Sequence, residues 1–200
     1  MHQVPKDTGW IEVICGPMFS GKTEELIRRL KRAVYGKQKV QVFKPAIDDR
    51  YDELAVVSHS RLKLVATPIQ RAEEILHRLR TDTTVVGIDE VQFLGIDVVT
   101  VIDTLASRGL RVVCAGLDQD FEGKPFEPMP QLLAMAEHIT KELAICVVCG
   151  NPAGRSQRLS SSRERVVVGA GDAYEARCRK CHVPAPVEAT LPQNLELFTF

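Results

Sequence analysis

The sequence predicts an α/β fold: a mainly parallel sheet flanked by helices, with a small metal-binding unit appended. Three observations predict it. Apolar, strand-like runs alternate with amphipathic, helix-like runs along residues 10–144, which implies parallel strands joined by right-handed crossovers. A glycine-rich octapeptide, Gly16-Pro17-Met18-Phe19-Ser20-Gly21-Lys22-Thr23, separates the first strand from the first helix. Two C-x-x-C pairs, Cys146 with Cys149 and Cys178 with Cys181, follow the last alternating element.

Length and charge narrow the classes. The chain of 200 residues suffices for one sizeable core plus an appendage. Basic and acidic residues balance at 26 each, which argues against a nucleic-acid track, since that needs an excess of Lys and Arg. No apolar run reaches membrane-spanning length and the N-terminus lacks a signal-peptide pattern, so a cytoplasmic protein without a membrane partner is expected. Cysteines in that compartment are reduced, and paired ones point to metal rather than to disulfides.

Taken in order, residues 1–9 read as a loose polar lead-in. Residues 10–15 are apolar and partly β-branched, as a buried strand requires. The octapeptide fits G-x-x-x-x-G-K-T, the loop that wraps nucleotide phosphates. Gly16 and Gly21 let successive N–H groups point inward at phosphate oxygens. Lys22 supplies a cation for the outer phosphates, and Thr23 a hydroxyl for Mg²⁺ at the anion-favouring start of a helix. Leu26, Ile27, Leu30, Ala33 and Val34 then recur at helical spacing, and Gly36 stops the helix.

Residues 39–44 alternate as a second strand. The segment 45–51 after it carries a proline, charges and Tyr51. Ligands gather at such strand ends in open α/β sheets, and a solvated turn is the alternative. Short β segments are expected within 56–65, and a helix over 69–79 with Ala72, Ile75, Leu76 and Leu79 on one face.

Residues 84–90 form an apolar strand that ends in two carboxylates. Asp89 is placed to hold Mg²⁺ or its water shell opposite Thr23. Glu90 is then free to accept a proton or orient a nucleophile. A helix over 97–107 follows, with Val98, Val101, Ile102 and Leu105 inward, and Gly109 ends it. Residues 111–116 make another buried strand. The loop 117–126 brings Phe121 and Phe126 to that strand's carboxyl end, either as packing or as walls of a pocket for a flat base. A helix over 129–137 and a strand over 139–144 complete a first domain, residues 1–144.

Residues 145–200 are expected to form a zinc-binding domain. Each C-x-x-C pair makes a tight knuckle, and four converging thiolates make a closed, structural Zn²⁺ site. His182, beside Cys181, is an available substitute ligand but is expected outside the set. A redox pair or disulfides are the alternatives. The stretch between the pairs, clamped at its base by metal, is expected to act as a lasso-like lid. Pro184, Pro186 and Pro192 punctuate the tail.

A phosphate loop with an acidic strand end implies ATP or GTP with Mg²⁺, and leaves the acceptor open. A small-molecule kinase, a RecA-like ATPase acting on nucleic acid, and a zinc-ribbon binding module with a regulatory nucleotide site compete. Balanced charge counts against the second. The third does not explain Glu90 beside Asp89, nor the aromatics at strand ends. The kinase reading explains both.

The octapeptide, Asp48-x-Arg50-Tyr51, Asp89-Glu90-x-Gln92-Phe93, Gly116-Leu117-Asp118-x-Asp120-Phe121 and the cysteine pairs occur in this order between Trp10 and Cys181. Together they resemble the type II thymidine kinases, the zinc-containing cellular and bacterial enzymes. The resemblance implies a RecA-like phosphate-loop fold and transfer of the ATP γ-phosphate to the 5′-hydroxyl of thymidine, giving dTMP. It also implies a homotetramer and feedback inhibition by dTTP. Carried over by position, it makes Glu90 the base for the 5′-hydroxyl proton. It sets the octapeptide, Asp89, Glu90, Val91 and Gln92 on ATP and its Mg²⁺. Asp48 and Arg50 fall near the 5′ end with Arg158, and the adjoining Asp49 leaves open which carboxylate faces the site. Met18, Leu117, Phe121, Phe126 and Tyr174 enclose the base, Tyr174 by stacking. Backbone groups around Ser156 and Val167 read the thymine edge. Gly154-Arg155, just before Ser156, departs from the family pattern.

Overall fold

The computed structural model describes residues 8–46, 55–57, 63–159 and 173–184. Asp48, Asp49, Arg50 and Val167 lie outside them. In chain order the elements are strand β1 (Trp10–Cys15), helix α1 (Lys22–Tyr35), β2 (Val40–Pro45), β3 (Ala55–Val57), β4 (Lys63–Val65), β5 (Thr67–Ile69), α2 (Glu74–Arg78), β6 (Val85–Ile88), a 3-10 turn (Val91–Leu94), α3 (Val98–Ser107), β7 (Arg111–Gly116), α4 (Met129–Met135) and β8 (His138–Lys141). Four short strands follow: β9 (Ala144–Ile145), β10 (Pro152–Ala153), β11 (Arg155–Arg158) and β12 (Tyr174–Arg177).

Six strands make one sheet in the order β5-β2-β6-β7-β1-β8. Every pairing in it is parallel, so the α/β architecture expected from the alternation is the one observed. Successive side chains leave opposite faces of a strand, and the core divides accordingly. Ile11, Val13, Cys15, Val112 and Cys114 pack with α3 and α4 on one face. Ile14, Val113 and Ala115 pack with Leu26, Ile27 and Leu30 of α1 on the other. Those three α1 side chains are fully buried, each contributing about 1.5–3 kcal/mol by leaving water.

Among the charges buried in this frame is Glu12. Glu12 in β1 accepts hydrogen bonds from Trp10 Nε1 at 2.9 Å, Arg29 Nη1 at 2.8 Å and Arg111 Nε at 2.6 Å. Burial alone would raise its pKa. The Arg111 bond, then Trp10 and Arg29, outweigh that and hold the carboxyl below its ordinary range. The same contacts tie β1 to α1 and β7.

Three expectations need correction. The helix expected over 69–79 begins only at Glu74, because Ile69 ends β5 in register with Pro45 of β2. The apolar residues still face the core, which is why the periodicity misled. Helix α4 ends at Met135 rather than 137. The strand expected over 139–144 splits: β8 stops at Lys141, and Ala144–Ile145 pair antiparallel with β10 instead. Among the described residues no helix is long and apolar enough to cross a membrane.

The topology positions the site. Strands β6, β7 and β1 are adjacent in the sheet. Their carboxyl ends lead respectively into Asp89-Glu90, the 117–126 loop and the octapeptide. Such a row of carboxyl ends is where open parallel sheets bind ligands.

Candidate active site

The octapeptide has the backbone its glycines imply. Gly16 has φ 146° and Gly21 φ 86°. A Cβ on Gly16 would lie 2.3 Å from the Glu142 carbonyl oxygen, so only glycine fits there. Helix α1 starts at Lys22, directly after Gly21, and its free N–H groups and dipole favour an anion at the loop. Lys22 is buried and its ammonium donates to the Pro17 carbonyl at 2.6 Å. Desolvation lowers its pKa, opposed by the nearby carboxylates of Glu90, Asp89 and Asp118. The lysine therefore sits among the acidic ends of β6 and β7.

Thr23 Oγ1 lies 3.2 and 3.4 Å from the two oxygens of Asp89. Burial, then the charge of Glu90, push the Asp89 carboxyl up to about 7. A hydroxyl and a carboxylate side by side are hard oxygen donors of the kind Mg²⁺ takes together with several waters. A divalent cation there would offset the desolvation that raises Asp89. The residues present thus fit Mg²⁺.

Glu90 has φ 50° and ψ 41°, left-handed values that cost a non-glycine residue about 1–2 kcal/mol. Such strain concentrates at functional positions. Its backbone N–H donates to Asp89 Oδ1 at 3.1 Å, and its carboxylate accepts from Gln92 Nε2 at 2.6 Å. Gln92 is only 3% exposed, and its own oxygen accepts the Leu117 N–H at 3.1 Å. One buried amide therefore joins Glu90 to the start of the 117–126 loop.

Beside the 117–126 loop, β11 and β12 pair antiparallel with Arg158 opposite Tyr174. The Arg158 guanidinium stacks 3.6 Å from the Phe121 ring centroid and donates to the Tyr174 hydroxyl at 2.6 and 3.1 Å. Phe126 is buried edge-to-face against Phe93, with centroids 5.9 Å apart. Ser156 Oγ accepts the Met18 N–H at 3.0 Å, which joins β11 to the octapeptide. Arg155, the departure noted in the sequence, donates to the Gly123 carbonyl at 3.1 Å and to Gln119 Oε1. Asp120 is internal to its loop, accepting the N–H groups of Glu122 and Lys124 at 3.0 Å each.

Many of the predicted residues that are described fall into three sets. Thr23 meets Asp89, with Lys22 close enough to feel the charges of Asp89 and Glu90; Glu90, Gln92 and Leu117 form a second set; Phe121, Arg158 and Tyr174 form a third, while Met18 pairs with Ser156 and Phe126 with Phe93. Sequence reasoning missed Gln119, Arg155 and His182 as links between loops. For Arg155 the signal was its atypical position, and for the others no local signal exists.

The four cysteines converge as expected, with their Sγ atoms all within 4.8 Å of one another. Cys149 Sγ lies 3.6 Å from Cys178 Sγ and 3.5 Å from Cys181 Sγ. A disulfide needs about 2.05 Å, whereas sulfurs around a tetrahedral zinc stand about 3.8 Å apart, given Zn–S bonds of about 2.3 Å. The donor set fits zinc. His182 stands outside it, its ring bonded to the Phe121 carbonyl.

A family model described as thymidine kinase matches residues 9–182. Among curated proteins the chain is similar to the thymidine kinase of Bdellovibrio bacteriovorus, 56% identical over 188 residues, covering 94% of this chain and 92% of that one. A parallel sheet with a phosphate loop, an acidic strand end, an aromatic loop and a four-cysteine cluster, matched over almost its whole length, places this chain in the thymidine kinase family.

Proposed function

We propose that this protein transfers the γ-phosphate of ATP to the 5′-hydroxyl of thymidine, giving dTMP, with Glu90 as general base. The observation that carries the proposal is the Gln92 bridge. It fixes Glu90, beside the phosphate-side residues Lys22, Thr23 and Asp89, to the loop that bears Phe121. Family membership supports thymidine and ATP as the pair that meets there.

In this reading the octapeptide amides and Lys22 hold the phosphates, and Val91 and Gln92 flank the nucleotide side. Thr23 and Asp89, the latter through water, hold Mg²⁺. Held there, Mg²⁺ would supply positive charge to offset that on the transferring phosphoryl group. Met18, Leu117, Phe121, Phe126 and Tyr174 enclose the base, and backbone groups at Ser156 and Val167 read its edge. Asp48 and Arg50, with Arg158, serve the 5′ end. Backbone readout gives specificity because a wrong base leaves a buried N–H or C=O unpaired, at about 1–3 kcal/mol. The transition state is loose, so positioning does most of the work and Glu90 takes the 5′-hydroxyl proton late. Gln92 is suited to aim that carboxylate, since its second bond prevents its own amide from swinging away.

The same reading divides the chain into a nucleotide-binding domain, 1–144, and a zinc-binding lid domain, 145–200, with structural zinc on Cys146, Cys149, Cys178 and Cys181. A cytoplasmic homotetramer inhibited by dTTP completes it. A molecule carrying both thymine and a triphosphate has groups for both sides of such a site.

The test is transfer from labelled ATP to each of the four deoxynucleosides and deoxyuridine, with and without Mg²⁺. Labelled dTMP that requires Mg²⁺ is the expected result. ATP hydrolysis stimulated by single-stranded DNA, with no nucleoside labelled, would replace this reading by the nucleic-acid ATPase.

A further inference from the structure

We infer that His182 is a positioning residue for the nucleoside, carrying the rigidity of the second cysteine knuckle to the base-enclosing loop. The inference rests on the proposed role of residues 117–126 as a wall of the nucleoside site. His182 Nε2 lies 2.8 Å from the carbonyl oxygen of Phe121, a residue 61 positions away. A carbonyl can only accept, so Nε2 carries the hydrogen and donates it.

Both partners of this bond are placed by other contacts. The His182 N–H donates to the Cys178 carbonyl at 2.9 Å, in the turn that also directs the Cys181 N–H to Cys178 at 3.1 Å. The imidazole therefore stands on the knuckle whose two sulfurs join the metal-fitting cluster. The next residue, Val183, is bracketed by the Gln157 side chain, which donates to its carbonyl at 3.0 Å and accepts its N–H at 2.8 Å. Gln157 belongs to β11, between Ser156 and Arg158. On the other side, the Phe121 ring faces the Arg158 guanidinium, and Arg155 holds the Gly123 carbonyl of the same loop. The loop is thus pinned at Phe121 from the knuckle and at Gly123 from β11. The first pin fixes the backbone of the residue whose ring the site uses.

The experiment compares the zinc-loaded full chain with His182→Ala and His182→Gln. Glutamine keeps a donor of similar reach without an imidazole. Zinc content, KM for thymidine, KM for ATP, kcat and hydrogen exchange of the 121–124 amides are measured for each. Alanine is expected to raise the KM for thymidine about three- to tenfold, the equivalent of one net hydrogen bond. Zinc content, kcat and the KM for ATP should be unchanged, exchange at 121–124 should quicken, and glutamine should restore both readouts. Loss of zinc, an equal rise in the KM for ATP, or no effect of alanine on loop exchange would overturn the inference. The exchange measurement needs no turnover. A protein that phosphorylates no thymidine, yet whose loop quickens with alanine and recovers with glutamine, would refute the proposed function and leave the His182 link standing.

Discussion

Beneath the octapeptide and the Asp89–Glu90 pair lie the fully buried Ile14, Leu26, Ile27, Leu30, Ile88 and Ile102. Behind Ser156 and Tyr174, among the described residues, the buried apolar cluster consists of Ala144, Ala153 and Ala176 with Cys146 and Cys178. The first region has enough apolar surface to hold its loops by burial alone. The described part of the second is small, as in modules that lean on a metal. It is fastened to the first by polar bonds from Ser156, Arg155 and His182. Where the phosphates are expected, geometry is set by the core. Where the base is expected, it is set by a metal-fitting cluster and a few hydrogen bonds.

The comparison is sharpened most by Glu90→Gln. The carboxamide keeps the shape but cannot take a proton, so turnover should fall about 10²- to 10⁴-fold. ATP affinity, measured by calorimetry, should be retained, because Lys22 and the loop are untouched. An equal loss of both would assign Glu90 to the metal instead. Next is Leu30→Ala in α1. Leu30 packs so closely on β6 that a Cβ on Gly87 would come within 2.4 Å of its Cδ1. Truncating it should cost about 2–5 kcal/mol of stability in urea unfolding, while leaving both KM values unchanged in the folded fraction. The smallest effect expected is from stripping zinc with a chelator. The KM for thymidine should rise about tenfold, near 1.4 kcal/mol, while the far-ultraviolet circular dichroism of the main sheet persists. Global unfolding on chelation would erase the contrast between the two regions.

The sequence was most legible where burial decides. Strand β7 occupies residues 111–116 as its apolar run predicts, and α1 runs to Tyr35 with Gly36 next. It was least legible where an apolar pattern has two solutions. Ile69, Ala72 and Ile75 reach the core from a strand end, a turn and a short helix respectively, so periodicity misjudged that segment. Within the site, the residue types and spacings of the octapeptide, Asp89-Glu90 and the cysteine pairs announced their chemistry. The side-chain links did not. Gln92 to Leu117 spans 25 residues, Arg155 to Gly123 spans 32 and His182 to Phe121 spans 61. Apart from the atypical position of Arg155, nothing local distinguishes a glutamine or histidine that will make such a bond from one left in solvent.

The bond from the Met18 N–H to Ser156 Oγ has a further bearing on the order of events in a catalytic cycle. Met18 lies inside the octapeptide, and Ser156 lies on the strand beside Arg158. Any rotation of the Met18 peptide as phosphate enters or leaves must lengthen or shorten that contact. If, as proposed, the octapeptide holds the donor phosphates and β11 borders the nucleoside, this one bond makes a mechanical joint between the two binding regions.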